Sequence, residues 1–208
     1  LWGDPGDNTL WGGAGEDTLY GWSGGVNRLF GEADADTLVG GPSQDIMDGG
    51  AGVDPLRFNG DTVSYQLSTA GVTVSLLNPA INTGDAAGDS YVNMEDVTGS
   101  QFNDIIYGDN GALNNLDGLA GADQIFGGGG TDIMIGGPGA DTLNGGDGDD
   151  LLDYETYLFS TGNVTPQTGV TASLLDPSIN TLDAAGDVYV SLENMAGSLH
   201  NDTLHGDN

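Results

Sequence analysis

The stretch GGPGADTLN (136–144) decides the fold, because close variants of it recur every nine residues along much of the chain. GGAGEDTLY (12–20) and GGGGTDIMI (127–135) share its glycines at positions one, two and four, its aspartate at position six and its apolar residue at position eight. Glycine permits positive φ and close backbone approach, so carbonyl oxygens can converge on one point. The aspartate adds a carboxylate to them. Each nonapeptide therefore predicts a tight turn rich in oxygen atoms.

Positions seven to nine of each repeat predict a three-residue strand. In Thr18-Leu19-Tyr20 the middle side chain points inward and the outer two point away. A chain that turns, runs three residues and turns again winds into a flattened spiral with two repeats per coil. The position-eight side chains then stack into a narrow core, formed by Leu10, Leu19, Leu29, Leu38, Met47, Leu56, Ile106, Leu116, Ile125, Met134, Leu143 and Leu152.

Comparison of the chain with itself divides it into repeat blocks and inserts. GVTVSLLNPAIN at 71–82 matches GVTASLLDPSIN at 169–180, and the two starting positions are 98 residues apart. Leu1 falls in mid-repeat, so we expect a piece of a longer tandem array. The predicted organisation is a first roll block over 1–57, an insert over 58–98, a second block over 99–153, a second insert over 154–196 and the start of a third block over 197–208.

The charge of the chain restricts its partners. Its 32 Asp and Glu residues face only two Lys and Arg residues, for a formal net charge of -30, and 27 of the acids are Asp. Nucleic acid and anionic membranes are poor partners for such a chain, whereas cations are natural ones. There is no cysteine for disulfides or thiolate metal sites, and no apolar run approaches the ~20 residues of a membrane-spanning helix.

The nonapeptide resembles the RTX (repeats-in-toxin) calcium-binding repeat, and twelve complete repeats carry that resemblance. It implies an all-β fold, a right-handed parallel β-roll, with Ca²⁺ bound in the turns. Carbonyl oxygens of the turns and the position-six side chains would be the ligands, since Ca²⁺ takes six to eight oxygens. The position-six residues are Asn8, Asp17, Asn27, Asp36, Asp45, Asp54, Asp104, Asn114, Asp123, Asp132, Asp141, Asp150 and Asp202.

The resemblance also implies that each ion lies between repeat n and repeat n+2. Pairs that contain an asparagine supply a neutral oxygen and should bind more weakly. Together with the inserts, the pairs predict five to about ten Ca²⁺ ions. The turns at 40–45 and 99–104 have Ser43 and Phe102 at position four, so we expect distorted turns or incomplete ligand sets there. The eight predicted pairs are Asn8–Asn27, Asp17–Asp36, Asn27–Asp45, Asp36–Asp54, Asp104–Asp123, Asn114–Asp132, Asp123–Asp141 and Asp132–Asp150.

The inserts contain segments that alternate apolar and polar residues, at 62–67, 72–77 and 90–97. They predict short strands that continue or cap the roll. Both inserts also carry acids at matching positions. Two interpretations stay open: the acids are ordinary loop polarity, or they form one extra Ca²⁺ site per insert. The acids are Asp85, Asp89 and Glu95 in the first insert and Asp183, Asp187 and Glu193 in the second.

Enzymatic chemistry is not expected of this chain. GWSGG (21–25) fits the GxSxG nucleophile elbow, but the elbow needs a strand, a sharp turn and a helix, and here the motif lies inside a repeat. The two histidines, His200 and His205, fall at repeat positions in another block. No HExxH motif is present, and the many carboxylates are already explained as metal ligands.

The aromatic residues at position nine point outward. Two repeats per coil predict that Trp2 stacks on Tyr20 and Trp11 on Phe30. Such residues shield a sheet face or form a contact surface for a glycan or a neighbouring protomer.

Taken together, these patterns predict a secreted, non-enzymatic module that folds and rigidifies on binding extracellular Ca²⁺. An adhesin, a matrix protein or a surface-layer protein would use such a module. One alternative is the folding and secretion segment of a type I-secreted enzyme or toxin whose catalytic part lies elsewhere. Another alternative is a carbohydrate-binding module.

Overall fold

The computed structural model describes residues 1–22, 24–51, 60–111, 113–154 and 169–207. In these ranges the chain forms nineteen strands and four short 3-10 helices. The first nine strands are β1 (Thr9–Ala14), β2 (Thr18–Tyr20), β3 (Arg28–Ala33), β4 (Thr37–Val39), β5 (Ile46–Gly50), β6 (Thr62–Ser64), β7 (Thr73–Ser75), β8 (Ser90–Val92) and β9 (Asp96–Thr98). The others are β10 (Ile105–Tyr107), β11 (Asn115–Asp117), β12 (Gln124–Gly130), β13 (Ile133–Ile135), β14 (Thr142–Gly148), β15 (Leu151–Asp153), β16 (Thr171–Ser173), β17 (Val188–Val190), β18 (Asn194–Ala196) and β19 (Thr203–His205). The helices are η1 (Pro79–Ile81), η2 (Gly84–Ala86), η3 (Pro177–Ile179) and η4 (Leu182–Ala184).

Within the repeat blocks, successive strands alternate between two facing layers of parallel sheet. One layer is a continuous eight-stranded sheet in the order β2-β4-β6-β9-β11-β13-β15-β18. The facing layer is divided into a sheet β1-β3-β5-β8 and a sheet β7-β10-β12-β14-β17, and β16 pairs with β19 beyond them. Within each repeat block every coil thus contributes one strand to each layer. The predicted parallel β-roll is confirmed.

The core is the single file of position-eight side chains. Strand registers place Leu29 between Leu10 and Met47, and Leu19 beside Leu38. Leu10, at the first coil, is only partly buried, and Leu56 lies outside the described residues. Burying a Leu, Ile or Met side chain contributes about 1.5–3 kcal/mol. The prediction of this core is confirmed by ten residues with no exposed surface: Leu19, Leu29, Leu38, Met47, Ile106, Leu116, Ile125, Met134, Leu143 and Leu152.

The first insert continues the roll, as its alternating pattern predicts. Strands β6 and β9 lie in the eight-stranded sheet between β4 and β11, and their Val63 and Val97 extend the core. Strand β8 ends one sheet of the facing layer, and β7 begins the next. The insert therefore interrupts hydrogen bonding on one layer only. The division into blocks and inserts at the predicted boundaries stays a prediction.

Candidate metal sites

The coils align the position-six residues into rows, in which each residue hydrogen-bonds to the one two repeats further on. The backbone N–H of Asp123 donates to Oδ1 of Asp141 at 2.8 Å, and that of Asp141 donates to Oδ1 of Asp187 at 2.9 Å. The same bond joins Asp17 to Asp36 and Asn27 to Asp45. We call these series carboxylate rows; they are Asn8-Asn27-Asp45-Asp89, Asp17-Asp36-Asp61-Glu95, Asp104-Asp123-Asp141-Asp187 and Asn114-Asp132-Asp150-Glu193.

Six residues of the rows each have one buried oxygen that accepts no hydrogen bond. An unpaired buried carboxylate is costly, so it needs a cation or a proton. No residue in the set exposes more than 1% of its surface, so bulk solvent does not reach these oxygens. We call these atoms the orphan oxygens; they are Oδ2 of Asp36, Asp45, Asp123, Asp132, Asp141 and Asp150.

Carbonyl oxygens converge beside the orphan oxygens. A methyl group added at Gly118 would lie 2.5 Å from Oδ2 of Asp123 and 2.9 Å from the carbonyl oxygen of Gly136, one coil further on. Only glycine fits at this point. Across the described part of the chain, no three His, Cys, Asp or Glu side chains form a metal-binding group. Carbonyl oxygens would therefore have to supply much of a cation's shell, and Ca²⁺ accepts such ligands. The residues present fit a calcium ion.

The electrostatics of the rows favour a bound positive charge. Burial raises the pKa of Asp123 to about 8, although the N–H of Asp104 donates to it and opposes the rise. The carboxylate of Asp141 raises the pKa of Asp123 further. Burial likewise raises the pKa of Asp141 to about 7 and that of Asp132 to about 6. Each shift measures how unfavourable an uncompensated negative charge is at that point.

One predicted pair stays a prediction, and the structure gives Asp36 an additional neighbour in its row. The expected partner of Asp36 is Asp54, but the N–H of Asp36 donates to Oδ1 of Asp61 at 2.8 Å. Asp54 itself lies outside the described residues. Strand β6 pairs with β4 so that Leu38 faces Val63, which places Asp61 at position six. Counting in nines missed this residue because Asp61 does not fall at position six of the repeat that is counted from Gly49.

The insert acids belong to two different rows. Asp89 accepts the N–H of Asp45, whereas Glu95 accepts the N–H of Asp61. Asp187 and Glu193 repeat the arrangement, and the interpretation of one extra Ca²⁺ site per insert stays a prediction. The sequence signal for these row positions is a carboxylate two residues before a side chain that packs on the core. Asp89-Ser90-Tyr91 is an example.

Protein donors compensate the carboxylates at the row ends. Tyr65 donates its hydroxyl proton to Oδ2 of Asp89 at 2.6 Å, and Tyr154 donates to Oδ2 of Asp187 at 3.0 Å. Ser100 donates its N–H to Oδ2 of Asp104 at 2.6 Å, and its hydroxyl lies 2.8 Å from Oδ1. Both oxygens of Asp104, in the turn with Phe102 at position four, are thus hydrogen-bonded, unlike those of the six aspartates with an orphan oxygen.

The final turn resembles the turn of Ser100. The hydroxyl of Ser198 donates to Oδ1 of Asp202 at 2.8 Å, and the N–H of Val170 donates to the same oxygen at 2.8 Å. Asp202, predicted as a ligand, therefore has protein donors like Asp104.

Asn8 and Asn27 place an amide nitrogen, not an oxygen, beside the position-one glycine of the turn, although Oδ1 of Asn8 also accepts the N–H of Asp4 at 2.9 Å. Their Nδ2 atoms donate to turn carbonyls, at 2.9 Å to Gly21 from Asn8 and at 3.1 Å to Gly40 from Asn27. Asn114 instead places its Oδ1 beside Gly108, and that oxygen also accepts the N–H of Asp109 at 2.9 Å. The role of the three asparagines as oxygen ligands stays a prediction.

A sequence model described as the RTX calcium-binding nonapeptide repeat (four copies) matches residues 1–25, 23–54, 95–112, 114–143 and 126–155. These ranges cover more than half of the chain. The chain belongs to the RTX calcium-binding nonapeptide repeat family. No curated protein matches it. The RTX chain is thus a calcium-binding repeat module with parallel β-roll architecture.

The RTX matches and the orphan oxygens coincide along the chain. Residues 23–54 include Asp36 and Asp45, and residues 114–155 include the other four orphan oxygens. The RTX nonapeptide is a structural repeat rather than a catalytic motif, and Ser23 of GWSGG lies outside the described residues. Over the described ranges, no helix has the length and apolarity that crossing a membrane would require.

Proposed function

We propose that this RTX module binds one Ca²⁺ at each of its six orphan oxygens and folds as those ions bind. The observation that supports this proposal is the set of six buried carboxylate oxygens without hydrogen-bond donors. Six ions fall within the five to about ten expected from the sequence. Asp17, Asp36, Asp45, Asp123, Asp132, Asp141 and Asp150 would hold the ions together with turn carbonyls, and Ca²⁺ would supply the positive charge that joins neighbouring coils.

Calcium would act as the folding switch because the metal-free chain has little to oppose its charge. A formal charge of -30 sits on a core one side chain wide. Ordering the backbone costs roughly 1–2 kcal/mol per residue, and like charges add repulsion. Ions that bind only the folded chain convert binding energy into folding energy. Extracellular Ca²⁺ modules typically bind at about 10⁻⁴–10⁻³ M.

The module would consequently be a structural segment of a secreted or cell-surface protein. It would stay unfolded in a calcium-poor cytosol, pass through an export channel and fold on emerging. An adhesin, matrix or surface-layer protein would use it as a rigid spacer and carry many further copies. An RTX folding and secretion segment would instead adjoin a catalytic or pore-forming domain, so reading the parent gene discriminates between the two.

A calcium titration of the purified chain tests the proposal. Far-UV circular dichroism should change steeply from unfolded to β-rich as millimolar Ca²⁺ is added, because adjacent coils share ligands. Isothermal titration should count about six ions, and Mg²⁺ should not replace them because it requires strict octahedral geometry. A β-rich spectrum in excess chelator that calcium leaves unchanged would defeat the proposal, as would a count of two or fewer.

A second candidate function, glycan binding, is favoured by aromatic pairs on the two outer faces of the first block. Trp2 stacks on Tyr20 with ring centroids 4.0 Å apart, and Trp11 stacks on Phe30 at 5.8 Å, as predicted. Trp2, Trp11 and Trp22 are each about half exposed. A pocket of about 220 Å³ is lined by Tyr20, Trp22, Tyr65 and Asp85, among other residues.

Pyranose rings stack on aromatic faces, and a carboxylate accepts their hydroxyl protons. Glycan-array binding that Trp22→Ala abolishes while Trp11→Ala reduces it would support this function. No binding by the calcium-loaded chain would refute it, and the same aromatic pairs would then serve self-association with a neighbouring copy, which sedimentation of the loaded chain measures.

A further inference from the structure

We infer that the side-chain amides of Asn8 and Asn27 occupy the positions that calcium ions take elsewhere in the roll. The first coils of this row would then form without metal. The inference rests on the proposed calcium function, since it assigns which turns need an ion and which do not. Its evidence lies in what surrounds the two amide nitrogens.

Four oxygens surround Nδ2 of Asn8. The carbonyl oxygens of Asp4 and Gly6 lie at 2.8 Å, that of Gly21 at 2.9 Å, and Oδ1 of Asn27 at 2.8 Å. An amide NH₂ has only two protons to donate. The four oxygens therefore exceed what the nitrogen can satisfy at once, and they resemble the partial coordination shell of a cation.

Asn27 has the equivalent surroundings one coil further on. Its Nδ2 lies 3.5 Å from the carbonyl oxygen of Trp22, 3.3 Å from that of Gly25 and 3.1 Å from that of Gly40. Oδ1 of Asp45 is the fourth oxygen, at 3.0 Å. The oxygens come from corresponding parts of the repeat around Asn8 and Asn27. The same arrangement of oxygens is thus formed by the turn in both coils.

Aspartate places an oxygen where these asparagines place a nitrogen. A methyl group at Gly21 would lie 2.7 Å from Nδ2 of Asn27 and 2.7 Å from the carbonyl oxygen of Gly40. The corresponding methyl group at Gly118 meets Oδ2 of Asp123 and the carbonyl oxygen of Gly136. Asn and Asp have the same shape, but only Asn has protons to donate. A turn whose Asp has an orphan oxygen, such as that of Asp123, therefore needs a cation to compensate its charge.

Burial supports the same assignment. Asn27 has no exposed surface, as expected of a residue whose polar atoms are bonded within the protein. Neither Asn8 nor Asn27 has an orphan atom, whereas Asp45, the next residue of the row, does. At Asn27 an amide fills the turn. At Asp45, the next residue of the same row, the turn requires a cation instead.

Counting bound calcium in the full chain tests the inference. Asn27→Asp replaces the amide with an isosteric carboxylate and should add one bound Ca²⁺ per chain, measured by equilibrium dialysis and elemental analysis. Asp132→Asn should remove one, because an amide would fill that turn. Gln124→Glu is the matched control, since Gln124 is exposed on strand β12 and gains the same charge away from any turn. Its count should equal that of the unmodified chain.

The outcomes separate the inference from the function on which it rests. A folded Asn27→Asp chain with an unchanged count overturns the inference while the unmodified chain binds calcium. An unmodified chain that binds no calcium overturns the proposed function itself. If Asn27→Asp does not fold, Asp132→Asn decides: a chain with one ion fewer supports the inference, and an unchanged count overturns it. Equal gains for Asn27→Asp and Gln124→Glu overturn it as well.

Discussion

The N-terminal coils (residues 1–51) and the second block (residues 99–154) share one backbone plan but differ in their orphan oxygens. Both have parallel strands in the same register and a core of fully buried position-eight residues. The first region has two orphan oxygens and the second has four. Two position-six residues of the first region are asparagines whose amide nitrogens donate to turn carbonyls. The comparison teaches that the shape of the coil and its need for metal are set by different residues.

Metal removal should have the largest effect and should separate the two regions. All three tryptophans, Trp2, Trp11 and Trp22, lie in the first region, so near-UV circular dichroism of tryptophan reports on it alone. We expect calcium withdrawal to abolish far-UV β-structure at a higher free calcium concentration than it abolishes the tryptophan signal. The reason is that the second block has twice as many orphan oxygens. Coincident transitions, or a tryptophan signal that disappears first, would show that the regions do not differ.

Core truncation should affect the two regions equally. Leu29 and Ile125 are both fully buried at position eight. In saturating calcium, Leu29→Ala and Ile125→Ala should each lower the free energy of unfolding by about 2–5 kcal/mol, through lost burial and a cavity. Leu10→Ala, at the partly buried first coil, should cost less. Urea unfolding measures all three. A clear inequality between Leu29→Ala and Ile125→Ala would mean that the regions also differ in packing.

Loss of a single orphan carboxylate should have a smaller effect that appears in the calcium dependence. Asp123 accepts the N–H of Asp104 and donates its own N–H to Asp141, so it contributes to two neighbouring turns. Asp123→Ala should raise the calcium midpoint of folding about tenfold, equivalent to about 1.4 kcal/mol. The control is Asp147→Ala, which removes an equal charge from an exposed position in the same block. Similar midpoints for Asp123→Ala and Asp147→Ala would mean that net charge, rather than position six, controls folding.

The smallest expected effect is that of pH on the metal-free chain. Burial raises the pKa of Asp123 to about 8 and that of Asp141 to about 7, against a usual 3.8. The folded chain thus binds protons more tightly than the unfolded chain. The resulting stabilisation is complete below about pH 4 and is lost as the pH rises through 6 to 8. In chelator, far-UV β-structure should increase from pH 8 to pH 5. An increase on raising the pH would contradict the assignment of these carboxylates.

Much of the fold could be predicted because each nonapeptide contains its own structural signal. Spacing alone located the core residues Leu19 to Leu152, since a three-residue strand has one inward side chain. The strands of the first insert followed from alternation at Val63 and Val74 in the same way. Asp61 was missed because it does not fall at position six of the repeat that is counted from Gly49. Long-range strand pairing, not local spacing, brings Asp61 next to Asp36.

The sequence by itself determined the coil, the core and the abundance of oxygen ligands, because these depend on contacts within nine residues and on composition. Only the tertiary structure decided which carboxylate oxygens lack a hydrogen-bond donor. Tyr65 and Asp89 are 24 residues apart in the chain, yet a hydroxyl of one compensates the carboxylate of the other. The orientation of the Asn27 amide likewise depends on carbonyl oxygens of two coils. Compensation of a buried charge is a property of everything that surrounds it, and the coils assemble those surroundings only when they stack.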